Sequence, residues 1–259
     1  MKFFFSILLL ILSSLIVNAE NDHSLRLLTY NIHAGIGTDK QFDLERIAEV
    51  IKNTDPHVVA LQEVDKETRR SQGIDIAKRL GELTGMTPVF GPSIPFSGGE
   101  YGNAILTTLS IEKSETLAIP EIIPIEKRSV LIADLKFKDT VIQILATHLC
   151  HREETNRVAA AKFLQTLQAS KNKTSFLMGD LNALPSSEPL SIITSAGWQK
   201  PSPTPLFTSP ALEPKRQIDY ILYRPSSSTK MNVRQVLVLD EKVASDHRPL
   251  LLVLDTQDG

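Results

Sequence analysis

TSFLMGDLN, residues 174–182, reads as an apolar strand that runs into a glycine and then delivers two polar side chains. Phe176, Leu177 and Met178 make the buried run, and at the two-residue period of a strand Asp180 and Asn182 leave its end on the same side. A lone carboxylate at the tip of a core strand would take up a proton or be drawn to solvent, so Asp180 implies a cation, a hydrogen-bond network or open water. The same letters, GDLN, also suit a strand end closed by an Asx-type turn. The rest of the chain decides between the two.

Working outward, residues 152–170 have the spacing of an amphipathic helix leading into this strand, with Val158, Ala161, Leu164 and Leu167 inward. Upstream, 104–108, 111–119, 130–137 and 141–147 read as strands with short connections, and 92–99, rich in Pro, Ser and Gly, as a surface loop. Near the start, 25–31 and 58–61 are strands, with a helix between them capped by Asp43 and a second helix from about Asp75 to a Gly85 stop. Downstream come a short helix at 188–194, a Pro-rich loop at 201–214 and strands at 217–223, 233–239 and 250–254. Strands alternating with helices make this an α/β protein. One domain, residues 25–255, is expected, with no repeat or linker.

The polar residues left at the ends of these apolar strands are Asn31, Glu63, Asn103, His148, Asp180 with Asn182, Asp219, and Asp246 with His247. Each has a plain alternative. Asn31 could open a turn, Glu63 could be a surface carboxylate, His148 a satisfied core histidine, and Asp246-His247 part of a loop. Together those alternatives require independent accidents of one kind, acids, amides and imidazoles placed where a sheet delivers its strand ends. Convergence on one site is the better account. Such a set suits hydrolysis of a phosphate ester, in which a hard cation on carboxylate oxygen offsets developing charge and a positioned water attacks in line. Oxygen donors with few histidines favour Mg²⁺ or Mn²⁺ over Zn²⁺.

In order along the chain, TYNIH (29–33), LQEV (61–64), YGNAIL (101–106), THL (147–149), GDLN (179–182), IDYI (218–221) and SDHRP (245–249) resemble the motifs of the endonuclease/exonuclease/phosphatase superfamily. The resemblance implies a four-layer α/β sandwich, two packed mixed β-sheets flanked by helices, with the site at one edge. It also implies roles. Glu63 would be the main metal ligand, with Asn31 beside it. Asp180 would orient or deprotonate the attacking water, and Asn182 would hold a phosphate oxygen. His148 and His247 would bind the scissile phosphate; Asp246 would orient His247 and help the metal, and Asp219 would support that group. Asn103 would touch substrate. THL is similar to sphingomyelinases, inositol polyphosphate phosphatases and deadenylases rather than to repair enzymes. Arg128 stands where deoxyribonuclease I-like enzymes place a Glu beside the first histidine; it offers a cation for a phosphate or is a surface residue at a strand edge. His33 lies near the site, and His23 and His57 read as surface residues.

Composition narrows the choices. The 259-residue chain is 42% hydrophobic with net charge −2 and one cysteine, Cys150, so no intramolecular disulfide forms. Lys and Arg are scattered, without the basic stripe that grips a nucleic acid backbone. Residues 1–19 have the short charged start, apolar run and small final residue of a cleaved export signal, which implies a periplasmic or secreted protein. The run is short for a transmembrane span, so no stable membrane span is expected after cleavage. The expected protein is a monomeric, exported, Mg²⁺-dependent phosphoesterase acting on a lipid head group, a small phosphodiester or a nucleic acid. The alternatives are a secreted nuclease and an inactive module that binds a phosphorylated ligand. Against a membrane-acting enzyme stands the lack of an apolar hairpin to insert, Trp198 and Phe207 being the available candidates.

Overall fold

The structure is a computed structural model that describes residues 24–167, 173–226 and 230–257; the expected leader lies outside these residues. In chain order the elements are β1 (Ser24–Asn31), α1 (Leu44–Lys52), β2 (Val58–Lys66), α2 (Ile76–Thr84), β3 (Thr87–Phe96), β4 (Gly99–Thr107), β5 (Ser110–Ile119), β6 (Arg128–Phe137), β7 (Thr140–His148), α3 (Glu154–Thr166), β8 (Thr174–Asp180), α4 (Glu188–Ser195), β9 (Asp219–Arg224), β10 (Lys230–Val238) and β11 (Leu250–Gln257). They form a six-stranded sheet ordered β10-β11-β1-β2-β4-β3 and a five-stranded sheet ordered β5-β6-β7-β8-β9. No helix among the described residues is long and apolar enough to cross a membrane.

Strand alternation builds the layers. Leu25 and Leu27 of β1 pack with Phe176 and Met178 of β8 and with Ile142 and Ile144 of β7, filling the space between the sheets. The intervening Leu28 and Tyr30 face the other way, onto Ile47 and Ile51 of α1 and Leu80 of α2. On the far side, Leu145, Leu177 and Leu222 meet Ala161 and Leu164 of α3 and Ile193 of α4. The result is the expected sandwich of helices, sheet, sheet and helices. Helix ends follow the sequence signals: Asp43 and Asp75 accept from the backbone N–H groups of Arg46 and Lys78, and Gly85 closes α2 in the left-handed conformation at φ 72°.

Each sheet contains one parallel pair, β1 with β2 and β7 with β8, each joined through a helix, α1 or α3. Parallel strands end at the same edge, so each pair sends its C-terminal residues to one rim. Asn31 lies level with Gln62, and His148 is level with Asp180, which on its other side is level with Asp219 of antiparallel β9. Gly179 makes the second alignment possible, because a Cβ there would sit 1.9 Å from the Thr147 carbonyl oxygen.

Two expectations fail. Residues 92–99 are not a surface loop; 92–96 belong to β3, which turns at Ser97-Gly98 into β4. Prolines 92 and 95 hid the strand, yet β3 is an edge strand, where a missing N–H costs no ladder bond, and its register shifts between Pro92 and Ile94. Likewise, β2 does not stop at Glu63 but runs to Lys66. Trp198, considered for membrane insertion, is 2% exposed and stacks under Arg224.

Candidate active site

At the rim where the two parallel pairs end, alternation decides which side chains meet. Asn31 shares the face of Leu25 and Leu27, and Asp180 that of Phe176 and Met178, so the two point at each other across the sandwich. Asn31 Nδ2 donates to Asp180 Oδ2 at 3.2 Å and to Glu63 Oε1 at 3.1 Å. Glu63 reaches that spot only through a β-bulge. The β2–β4 register shifts between Leu61 and Val64, and Glu63 takes φ 58°, which turns aside a side chain that strict alternation would send to the helix face.

Asp180 is both of the things its motif allowed. Its Oδ1 accepts from the Asn182 backbone N–H at 2.9 Å, an Asx turn, while Oδ2 lies 3.5 Å from His148 Nε2 and 3.9 Å from His247 Nε2. The two imidazoles, 99 positions apart in the chain, thus converge on one oxygen. Burial, then the neighbouring Asp219 charge, push the Asp180 carboxyl up to about 7, against the pull of His247 and of its hydrogen bonds.

His247 is held by Asp219, not by Asp246 as expected. Its Nδ1 donates to Asp219 Oδ2 at 2.8 Å, and that oxygen also accepts from Thr208 Oγ1 at 2.5 Å. Desolvation alone would lower the imidazole, but the Asp219 charge and hydrogen bond, helped by Asp180, carry it up to about 10. Asp246 is half exposed, with its carboxylate 4.0 Å from His33 Nδ1, and acts on His247 only at a distance. The order of residues explains the error: Asp246 adjoins His247 only along the chain, in a bend that leaves it half exposed, whereas Asp219 arrives from the start of β9.

His148 is buried, and its surroundings keep it neutral. Desolvation is the largest cause, followed by the positive charges of Arg128 and His247. Arg128 is no surface residue, with its side chain 5% exposed; it meets His148 Nδ1 at 3.1 Å, Glu126 Oε1 at 3.0 Å and His151 Nδ1 at 3.3 Å. Asn182 Nδ2 lies 3.1 Å from His148 Nε2 and donates to the Leu149 carbonyl. Asn103 is buried, donates to the Ser129 carbonyl at 3.2 Å and leaves its Oδ1 unpaired. Beside the cluster opens a cleft of about 200 Å³ walled by Glu63, Arg70, Phe96, Tyr101, Arg128 and His148.

Sequence reasoning passed over Tyr101, whose hydroxyl lies 3.3 Å from His148 Nδ1, although it sits two residues from Asn103 in the same strand. It also missed Thr208, in a Pro-rich loop without periodicity, and Arg70, which pairs with buried Asp65 and stacks on Phe96.

Two places could hold a cation. Ligand atoms of Asp180, Asp219 and His247 lie within 4.8 Å of one another. There, however, His247 Nδ1 and Asp219 Oδ2 are already turned to each other at 2.8 Å rather than to a shared cation. Glu63 and Asn31 fit better. Carboxylate oxygens of Glu63 and Asp180 turn to one amide, concentrating negative charge beside the cleft, and the donors available are hard oxygens.

A family model described as "Endonuclease/Exonuclease/phosphatase family" matches residues 28–247. No curated protein sequence gives a significant match. Among solved structures, an endonuclease/exonuclease/phosphatase from Beutenbergia cavernae is 22% identical with TM-score 0.74, over 90% of this chain and 72% of that one. A mannosyl-6-phosphatase from Bacteroides thetaiotaomicron is 20% identical with TM-score 0.71, over 89% and 99%. TDP2 of D. rerio, complexed with a single-strand DNA product, is 17% identical with TM-score 0.73, over 91% and 100%. At these identities the likeness is one of fold.

Proposed function

The chain belongs to the endonuclease/exonuclease/phosphatase family, and from that premise we propose that it is an exported hydrolase of phosphate esters that uses Mg²⁺ or Mn²⁺. The observation that carries the reading is the meeting of Asp180 Oδ2 with Asn31, His148 and His247 at the rim shared by both sheets. Glu63, with Asn31, would hold the cation, which when bound offsets negative charge on the phosphoryl oxygens. Asp180, with a carboxyl near neutrality, accepts a proton from the water that attacks phosphorus. His247, charged and fixed by Asp219, donates to the phosphoryl group and supplies the proton that the departing oxygen needs when the ester bond breaks. Asn182 and the Nε2 edge of His148 face the same phosphate.

Small substrates are favoured over polymers. The cleft is compact, its Arg70 and Arg128 are already paired with Asp65 and Glu126, and the net charge is acidic. The exposed apolar side chains of Phe207 and Leu212 in the Pro-rich loop, and of Ile122 and Ile123 after β5, lie in loops rather than on an inserting hairpin. The test is a panel of p-nitrophenyl phosphate, bis-p-nitrophenyl phosphate, sphingomyelin, RNA and plasmid DNA, each with Mg²⁺ and with EDTA. Metal-dependent turnover of the small esters is expected. Turnover confined to DNA or RNA would make the protein a nuclease, and no turnover anywhere would make it a binding module.

A further inference from the structure

His148 poses a question of protons. Its Nδ1 faces the Arg128 Nη1 group at 3.1 Å and the Tyr101 hydroxyl at 3.3 Å, while its Nε2 faces the Asn182 amide at 3.1 Å and Asp180 Oδ2 at 3.5 Å. A neutral imidazole carries one N–H and accepts at the other nitrogen. A guanidinium is a permanent cation with no acceptor, so a proton on Nδ1 would point straight at another N–H. On the Nε2 side the Asn182 amide is turned to donate to the Leu149 carbonyl, but the carboxylate oxygen Asp180 Oδ2, 3.5 Å away, can accept from a proton on Nε2.

We propose that Arg128 is the positioning residue of the reaction: it fixes the ring of His148 with the proton on Nε2, aimed at the phosphate, and binds no substrate itself. The donors of Arg128 support this. Nη1 is spent on His148 and Tyr101, and Nη2 on Glu126 and His151, within a side chain 5% exposed. Nε–H alone has no partner, and it is buried, so both ends of the fork that would grip a phosphate are taken. Glu126 compensates its charge from the side away from His148, which lets a cation be buried behind an imidazole. A carboxylate in the place of Arg128 would do the reverse, accepting from Nδ1–H and leaving Nε2 bare towards the site. The single N–H that this site can offer from His148 is thus directed by an arginine that never meets the reacting atoms.

The inference rests on the proposed hydrolase site, but the ring's protons are read whether or not any substrate is turned over. Full-length protein labelled with ¹⁵N-histidine is examined by NMR near neutral pH, with His148 assigned by its absence from a His148→Gln spectrum. The wild type should show a neutral ring protonated at Nε2. Arg128→Lys, which keeps a donor, should retain that pattern; Arg128→Met should lose it, and Arg128→Glu should move the proton to Nδ1. On the best substrate, Arg128→Met should lower kcat by about 10² to 10⁴-fold, the cost of a misdirected imidazole, with KM little changed. An Nδ1–H tautomer in the wild type would overturn the proposal even if every variant failed to fold. So would an Arg128→Met protein whose spectrum and kcat match the wild type, or one in which KM alone rises.

Discussion

At the scale of single residues the site is a problem in proton placement. In the proposed reaction Asp180 must be ionised to take a proton from water, and its carboxyl stands up at about 7; His247 must be protonated to donate, and its imidazole stands at about 10. The rate should therefore climb as pH rises through about 7 and fall as it passes about 10, a bell whose acid limb disappears in Asp180→Asn together with roughly 10² to 10⁴-fold of kcat. A flat profile on the best substrate would remove both residues from their roles. The same shifts carry a sign for stability. A carboxyl raised in the folded state loses stability as pH rises from its unfolded value near 3.8 to about 7, and an imidazole raised from 6.5 loses it through about 10. Both act in one direction, so their joint contribution to metal-free stability should decline from pH 6 to pH 10, as thermal melts in EDTA would show against a variant lacking both groups. Asp219→Asn should cost far more rate than Asp246→Asn, because only Asp219 touches the imidazole. Equal losses would restore the sequence neighbour to the role expected of it. That choice was not legible in the sequence, since adjacency along the chain and adjacency at a sheet rim are different things.

At the scale of elements the strand ends carried most of what could be read. The apolar runs with a polar residue at the tip located β1, β7, β8 and the residues they deliver, because a core strand leaves few other reasons for an acid or amide there. What they hid was curvature. The extra residue in β2 has no signature of its own, and without it Glu63 would turn towards α1 and α2 rather than Asn31. The bulge is open to a direct trial. A non-glycine residue at φ 58° costs on the order of 1 kcal/mol, which Gly would relieve at a similar entropic cost and a β-branched residue would worsen. Glu63→Gly should therefore melt close to the wild type, Glu63→Val several degrees lower, and both, like Glu63→Gln, should lose metal affinity by calorimetry. If Val and Gly melted alike, the conformation at Glu63 would not be the left-handed one. Prolines misled in the opposite sense at β3, where they mark an edge rather than a loop.

At the scale of the whole molecule the α/β class and the sandwich were within reach, since helix-connected strands demand cover on both faces. The pairing of two sheets was implied only by the resemblance of the ordered motifs, because periodicity reports which face is buried but not what buries it. The leader remains a matter of sequence, and its removal is measurable. Mass spectrometry of protein recovered outside the cytoplasm should give an N-terminus at or near Glu20, whereas a full-length chain fixed in membranes would make residues 1–19 an anchor. One bond described above has a further meaning. Asn31 and Asp180 meet across the interior from strands 149 positions apart, one from each sheet. A chain in which only one sheet has formed owns half of the reacting set and nothing to complete it. Turnover should thus appear late and all at once during refolding, a sensor of the moment the two halves close, and partly folded forms should leave phosphate esters untouched.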